Sequence, residues 1–223
     1  MSAERPVVIA VDGPAAAGKG TLARRLAADL QLGYLDTGLL YRAVARRVLD
    51  AGEDPADATA AAAAARAINA DDLAGPRLRD ESVGEAASKV AAVPAVRAAL
   101  LDFQRRFAAE PPPGARGVVM DGRDIGTVVC PAADVKLYVT ASPEERARRR
   151  HKELLDRGVT SIYSRVLADV IARDSRDSER DVAPLRQATS AFVLDTTDLD
   201  AEAAYRAARR HIETVIFAKR CGP

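Results

Sequence analysis

The chain has 223 residues, 33 basic against 32 acidic side chains and a net charge of +1, a balance that argues against a general polyanion or membrane-surface binder. Its length suits one α/β domain with an ample core. Hydrophobic residues make up 48%, but aromatics only 4% and Trp is absent, so an aliphatic core is expected and stacking platforms for nucleic acid are not.

The apolar run Val7 to Val11 reads as a first strand, and Leu22 to Leu32 as a helix. Between them lies Gly13-Pro14-Ala15-Ala16-Ala17-Gly18-Lys19-Gly20-Thr21. This is a phosphate-binding loop in its proper strand-loop-helix setting. Its spaced glycines let successive backbone N–H groups turn toward phosphate oxygens, the helix N-terminus adds partial positive charge, and Lys19 supplies a full one. The position after the lysine, normally Ser or Thr with its hydroxyl on Mg²⁺, is Gly20, and the hydroxyl is displaced to Thr21. That weakens the case for a GTPase or motor ATPase and favours enzymes that hold the metal through phosphates and water, as nucleoside monophosphate kinases do with Gly-Lys-Gly-Thr.

A short second strand, Gly33 to Asp36, leads into a helix, Leu39 to Leu49, closed by Gly52. Asp36-Thr37-Gly38, taken alone, is a capped helix start. The alanine-rich segment Pro55 to Ala70 defaults to helix, and the pattern stays helical from Ser82 to Glu110, with Pro94 suited to a first helical position. Val96, Leu100, Phe103 and Phe107 are spaced for one buried face before Pro111-Pro112-Pro113-Gly114 ends the run.

Gly117 to Asp121 reads as a third strand and Val135 to Val139 as a fourth. Asp121-Gly122-Arg123-Asp124 follows a strand end, where open α/β sheets bind ligands, so Asp121 is a candidate to hold metal-bound water and Arg123 a second phosphate; a polar turn with a local ion pair is the alternative. Ser142-Pro143-Glu144-Glu145 looks like a helix start. The charged stretch Arg146 to Arg180 ends in Arg173-Asp174-Ser175-Arg176-Asp177-Ser178-Glu179-Arg180, where Arg173, Asp177 and Arg180 share a helix side. It is either a solvated face with weak ion pairs or, in a phosphoryl-transfer enzyme, a lid whose arginines meet the transferring group. Arg146, Arg148, Arg149 and Arg150 are candidates for the other side of that flap, with at most two of them touching nucleotide. A last strand, Phe192 to Leu194, and a helix from about Asp200 to Lys219 complete the chain.

Arginine far outnumbers lysine, which occurs only at 19, 89, 136, 152 and 219; codon bias accounts for surface arginines, while bidentate phosphate grips must be argued site by site. Cys130 and Cys221 lack metal-ligand or framework spacing, and neither a signal peptide nor a long apolar span is visible, so a reducing cytoplasm is expected. His151 and His211 lie in charged helical stretches, which gives little support to a histidine-based triad or metal site.

Together these segments resemble bacterial cytidylate kinases, which phosphorylate CMP and dCMP from ATP. The likeness runs through Asp12-Gly13-Pro14 with Gly18 to Thr21, Leu35 to Gly38 with Tyr41-Arg42, Ala87 to Val90 with Pro94 and Val96-Arg97, Asp121 to Val129, and Arg173 to Arg180 with Ala183-Pro184-Leu185. It implies an α/β, P-loop three-layer α/β/α fold with a five-stranded parallel sheet, as core 1–50 and 115–223, a small monophosphate-binding insert at about 51–110 and a lid at about 148–180. It implies ATP binding by Gly13 to Thr21, and catalytic roles for Lys19, Arg123, Arg176 and Arg180. Thr37, Tyr41, Arg42, Arg123, Arg173, Asp177 and Arg180 would hold the phosphate or sugar of CMP, and Ser88, Arg97 and Asp124 would read the cytosine edge. A carboxylate suits the exocyclic amino donor of cytosine and would meet a carbonyl in uracil. Mg²⁺ would come with ATP, with no direct protein ligand and Asp121 as the candidate for an outer contact. A cytoplasmic monomer acting on ATP and CMP or dCMP, without nucleic acid or membrane, is expected. The family's insert commonly carries extra β-strands; here Asn69 to about Ser82 is short and looks like a connector.

A GTP-dependent switch would need an Asn-Lys-x-Asp segment, whereas the one Asn, Asn69, precedes Ala70. A small-molecule kinase on the same scaffold, with a sugar or shikimate-like acceptor, would lack a reason for the Ser88, Arg97 and Asp124 set, and a kinase of another monophosphate such as UMP is the alternative reading.

Overall fold

The computed structural model describes residues 5–69, 71–75 and 77–220, the last four of these by backbone alone. Cys221, and Ala70 and Pro76 of the expected connector, lie outside the described residues. The elements in chain order are β1 (Val7–Asp12), α1 (Lys19–Asp29), β2 (Gly33–Asp36), α2 (Thr37–Asp50), α3 (Ala58–Arg66), α4 (Glu81–Val90), α5 (Pro94–Ala109), β3 (Gly117–Gly122), β4 (Val135–Thr140), α6 (Pro143–Asp156), α7 (Tyr163–Ser178), β5 (Phe192–Asp195) and α8 (Ala201–Arg220). They form two compact units, one running to Leu35 and resuming at Pro111, the other Asp36–Glu110.

The first unit is built on a five-stranded parallel sheet in the order β2-β3-β1-β4-β5. Ile9 of β1 lies opposite Val119 of β3 and Val135 of β4, both parallel to it. The strands are apolar because they are covered: every residue of β3 is buried, as expected for a parallel sheet enclosed on both faces. Leu22 and Leu26 of α1 and Ala208 and Ile212 of α8 pack on Ile9, Val11, Val119, Leu137 and Leu194. Among the described residues Tyr205 is the one aromatic side chain buried with them, so the core is aliphatic as composition indicated. The chain leaves β1 toward β3 and β2 on one side and returns to β4 and β5 on the other. The carboxyl end of β1 therefore lies at the switch point where open sheets form their ligand crevice.

Helix α6 starts as its sequence indicates, with the Glu145 N–H donating to Ser142 Oγ at 3.2 Å and Pro143 in the first turn. It pairs with α7 through Ala147, Leu154, Val166 and Val170.

The second unit is helical. Leu40, Val44 and Val48 of α2 pack with Val83 and Val90 of α4 and with Val96 and Leu100 of α5. Gly52, at φ +72°, ends α2, and the Glu53 N–H reaches back to the Val48 carbonyl. Two expected spans differ. The alanine-rich helix is only Ala58–Arg66, because Asp57 caps it by accepting the N–H groups of Thr59 and Ala60. The pattern from Ser82 to Glu110 breaks between α4 and α5, since Pro94 forces Val93 into an extended conformation. The connector holds a 3₁₀ turn, Asp71–Ala74, pinned where Arg47 pairs with Asp72 at 2.9 Å.

Among the described residues no helix is long and apolar enough to cross a membrane. Leu137→Ala should cost about 2–5 kcal/mol in urea unfolding, as a buried Leu truncation does. The same cut at Val193, 45% exposed on β5, should cost about 0.5 kcal/mol or less. Equal losses would contradict this packing.

Candidate active site

The loop after β1 owes its shape to carbonyls held by residues outside it. The Ala15 carbonyl accepts from Arg146 Nη1 of α6 at 3.3 Å, and the Ala17 carbonyl from Thr196 Oγ1, just past β5, at 3.1 Å. In a planar peptide unit N–H and C=O point opposite ways, so the N–H groups of Ala16 and Gly18 face away from those donors, toward the side where an anion is received. Gly13, at φ +144°, cannot be anything larger: a Cβ there would lie 1.9 Å from the Val139 carbonyl oxygen. Ala16 takes φ +60°, a left-handed conformation that costs a non-glycine residue about 1–2 kcal/mol, and its neighbours' anchors hold it there. Gly18 precedes α1 in a left-handed conformation, so the helix N-terminus opens onto the loop.

Lys19 is buried inside this frame, its Nζ donating to the Pro14 carbonyl at 3.0 Å and lying 3.7 Å from Asp121 Oδ1. A Cβ on Gly20 would come within 3.1 Å of Asp121 Oδ2. A Ser or Thr side chain there would be in tight contact with the strand-end carboxylate, which would have to shift by a few tenths of an ångström. Thr21 is exposed on α1. Among the described residues no three His, Cys, Asp or Glu side chains gather as a ready metal cage. A lone oxygen donor beside a phosphate loop fits Mg²⁺, a hard cation that keeps several waters and takes one or two carboxylates.

At the end of β3 the chain enters a π-helical turn, Ile125–Val129. Asp124 just before it is buried, and so is Asp12, which accepts the N–H groups of Ile125 and Gly126. Burial pushes the Asp12 carboxyl up to about 6, more strongly than those two N–H groups pull it down, and the Asp124 charge adds to the rise.

Arg123 donates through Nε to Asp177 Oδ2 at 2.8 Å, and Arg180 pairs with Asp177 Oδ1. Asp177 is 2% exposed, so this part of the Arg173 to Arg180 stretch is not a solvated face. Burial alone would raise its carboxyl, but the charges of Arg123, Arg180 and Arg173 outweigh it and hold the group at about 2. Arg176 sits exposed on the same helix. Arg180 Nε and Thr127 Oγ1 are buried without a hydrogen-bond partner among the described residues, polar atoms suited to meet a ligand.

The four arginines at the start of α6 separate into different tasks. Arg146 is buried, donating to Ala141 O at 2.9 Å and to Asp174 of α7 at 3.0 and 2.5 Å as well as to Ala15. Arg149 donates to Thr196 Oγ1 at 2.9 Å and to its carbonyl at 2.5 Å. Arg148 and Arg150 pair with Glu145 and Glu153 of their own helix.

In the second unit Thr37 and Ser88 are buried, Thr37 at the first residue of α2 and Ser88 on α4. Asp36 precedes Thr37 in the cap position yet makes no side-chain cap bond. Arg42 donates to the carbonyls of Leu78 at 2.8 Å and Asp80 at 3.4 Å. Arg97 is buried on α5, donates to Ala91 O at 3.2 Å, and places its guanidinium carbon 5.4 Å from the Tyr41 ring centre, within cation–π range.

Sequence reading missed three participants: Thr196, Asp174 as partner of Arg146, and Asp12 as partner of Ile125 and Gly126. Their partners lie 28 to 179 residues away, beyond any local pattern; only the polar residue closing an apolar strand marked Asp12 in the sequence.

The cytidylate kinase family profile matches residues 9–214. A cytidylate kinase of Paramagnetospirillum magneticum is 64% identical over 201 residues, 90% of this chain and 95% of that protein. One from a Methylobacterium species is 63% identical over 207 residues, covering 93% and 97%. Among solved structures, an uncharacterised protein of Eubacterium ventriosum shares the fold, with a TM-score of 0.55, 12% identity and coverage of 93% of this chain and 99% of that one.

The two perturbed carboxyls act on stability with opposite sign. Asp177, lowered from 3.8 to about 2, stabilises the fold above pH 3.8, and that contribution is lost as pH falls through 2. Asp12, raised to about 6, contributes stability that is full below pH 3.8 and lost as pH rises through 6. Urea unfolding between pH 7 and pH 2.5 should show Asp177→Asn losing on the order of 2 kcal/mol of the fall below about pH 4, relative to the unsubstituted chain. Asp12→Asn should lose the decline above about pH 4. Unchanged slopes would contradict these assignments.

Proposed function

The chain belongs to the cytidylate kinase family, and we propose that it transfers the γ-phosphoryl group of ATP to CMP or dCMP, giving ADP with CDP or dCDP. The observation that carries this reading is a phosphate loop at the carboxyl end of β1 with an arginine cluster, Arg123 and Arg180 on Asp177, at the end of the neighbouring β3.

The reaction asks for placement and charge compensation, because the acceptor phosphate is already a nucleophile and no general base is needed. The loop Gly13 to Thr21 receives the donor phosphates through its backbone N–H groups, Pro14 having none, and Lys19 leaves the Pro14 carbonyl to follow the transferring group. Arg123, Arg176 and Arg180 compensate its charge. Thr37, Tyr41, Arg42, Arg173 and Asp177 take the phosphate and sugar of the acceptor; Ser88, Arg97 and Asp124 read its base. Uracil would set a carbonyl against Asp124, a mismatch of about 1–3 kcal/mol that favours CMP roughly tenfold or more. Mg²⁺ carried with ATP supplies further neutralisation of phosphate charge, and Asp121 is the residue to hold its water. The enzyme acts as a cytoplasmic monomer on free nucleotides.

Arg180→Ala removes one pre-placed cation and should lower kcat with CMP by roughly 10²–10³-fold, in protein whose circular dichroism at the assay temperature is that of the unsubstituted chain. Unchanged turnover would remove Arg180 from the mechanism.

A further inference from the structure

Asp12 is the last residue of β1 and has no assigned part in the reaction above. Its carboxylate accepts two consecutive backbone N–H groups, Ile125 at 2.8 Å through Oδ1 and Gly126 at 2.7 Å through Oδ2. The Ile125 N–H belongs to the peptide plane that also contains the Asp124 carbonyl, so the first bond fixes the plane on which Asp124, at ψ 22°, is mounted. The second bond fixes the next plane and stops the first residues of the π-helical turn from rotating. Charge-assisted bonds of this kind are about twice as strong as neutral ones. Among the described residues Lys19 and Asp124 act on the carboxylate by charge, its own charge is felt at Tyr138, and the Lys136 stem lies 3.2 Å from where Gly126 would carry a Cβ.

Burying this charge is costly, as the raised affinity of Asp12 for a proton shows. Stability alone gives no reason to keep a carboxylate here, since a neutral side chain would avoid that cost. What a carboxylate does that a neutral side chain cannot is accept two adjacent N–H groups through two equivalent oxygens. The same residue is bonded to Gly13, so the origin of the donor loop and the turn that carries Asp124 share one anchor.

We propose that Asp12 is a positioning residue for base selection: by gripping the Ile125 and Gly126 amides it holds the Asp124 carboxylate in the direction that accepts the cytosine amino group. This rests on the reading of Asp124 as a base-reading residue, which the same experiment tests separately.

Asp12→Asn keeps the size but turns one acceptor into an NH₂ facing an N–H, so one of the two bonds is lost. The kcat/KM ratio for CMP over UMP should fall about tenfold, the loss of one well-made bond to a charged group, mainly through a higher KM for CMP, with KM for ATP changed by about threefold or less. Asp124→Asn should collapse the same ratio. The double variant should be no less selective than Asp124→Asn alone, because Asp12 acts through Asp124. If Asp12→Asn gives no folded protein, Asp12→Ser, which can accept one N–H, is measured in its place with the same expectation. An unchanged ratio in the Asp12 variant beside a collapsed one in Asp124→Asn would overturn the positioning role and leave the base reading intact. An unchanged ratio in Asp124→Asn would overturn the base reading and the inference with it. Equal losses for ATP and CMP with the CMP-to-UMP ratio kept would mark Asp12 as structural and overturn the proposal.

Discussion

The donor loop depends on where its carbonyls go. A chain that must present several N–H groups to a phosphate has to bind the opposite ends of those peptide units elsewhere, or water and thermal motion will turn them. Here Arg146 takes the Ala15 carbonyl and Thr196 the Ala17 carbonyl. Those two residues bring β5, α6 and α7 into the site, since Thr196 is itself held by Arg149 and Arg146 reaches Asp174. The left-handed Ala16 sits between two carbonyls tied from outside the loop, Ala15 before it and Ala17 after it. Gly13 completes the constraint, for only the absence of a Cβ allows the loop to pass the Val139 carbonyl.

Charge is organised by the same economy. Arg123, Arg173 and Arg180 would repel one another if packed together with nothing between them. Asp177 lies among them and is held far below the usual carboxylate range. Such a group keeps the arginines assembled without a ligand, a pre-placement that the proposed phosphoryl transfer would use. The chain's net charge of +1 conceals this local concentration entirely. Of the two ties on α7, Asp174 to Arg146 joins it to α6 and Asp177 to Arg123 joins it to the residue just past β3.

Much of this was legible in the sequence wherever the determinant was local. The strand at Gly33–Asp36 and the strand opening at Gly117 follow from apolar runs bounded by glycine and proline, and α6 announces itself through Ser142, Pro143 and Glu145. The phosphate loop was readable because its glycines and lysine are contiguous. The helical pattern from Ser82 to Glu110 hid a break, because the apolar spacing continues across Ala91 to Val93 while Pro94 interrupts the backbone. Arg146 looked like one of four equivalent flap arginines; its burial and its three acceptors arise from residues that only the fold brings near. Thr196 was silent for the same reason, and Asp12 was visible as the end of a strand while its partners, Ile125 and Gly126, were not.

The central claim is that the loop and the arginines of the sheet unit serve phosphoryl transfer to a cytosine nucleotide. Its most direct test is release of ADP from ATP with Mg²⁺, followed by a coupled assay against CMP, dCMP, UMP, AMP and shikimate in parallel. Turnover is expected with CMP and dCMP, weaker with UMP by roughly tenfold or more, and absent with AMP or shikimate. Absence of turnover with CMP, or a preference for shikimate or AMP, would contradict it.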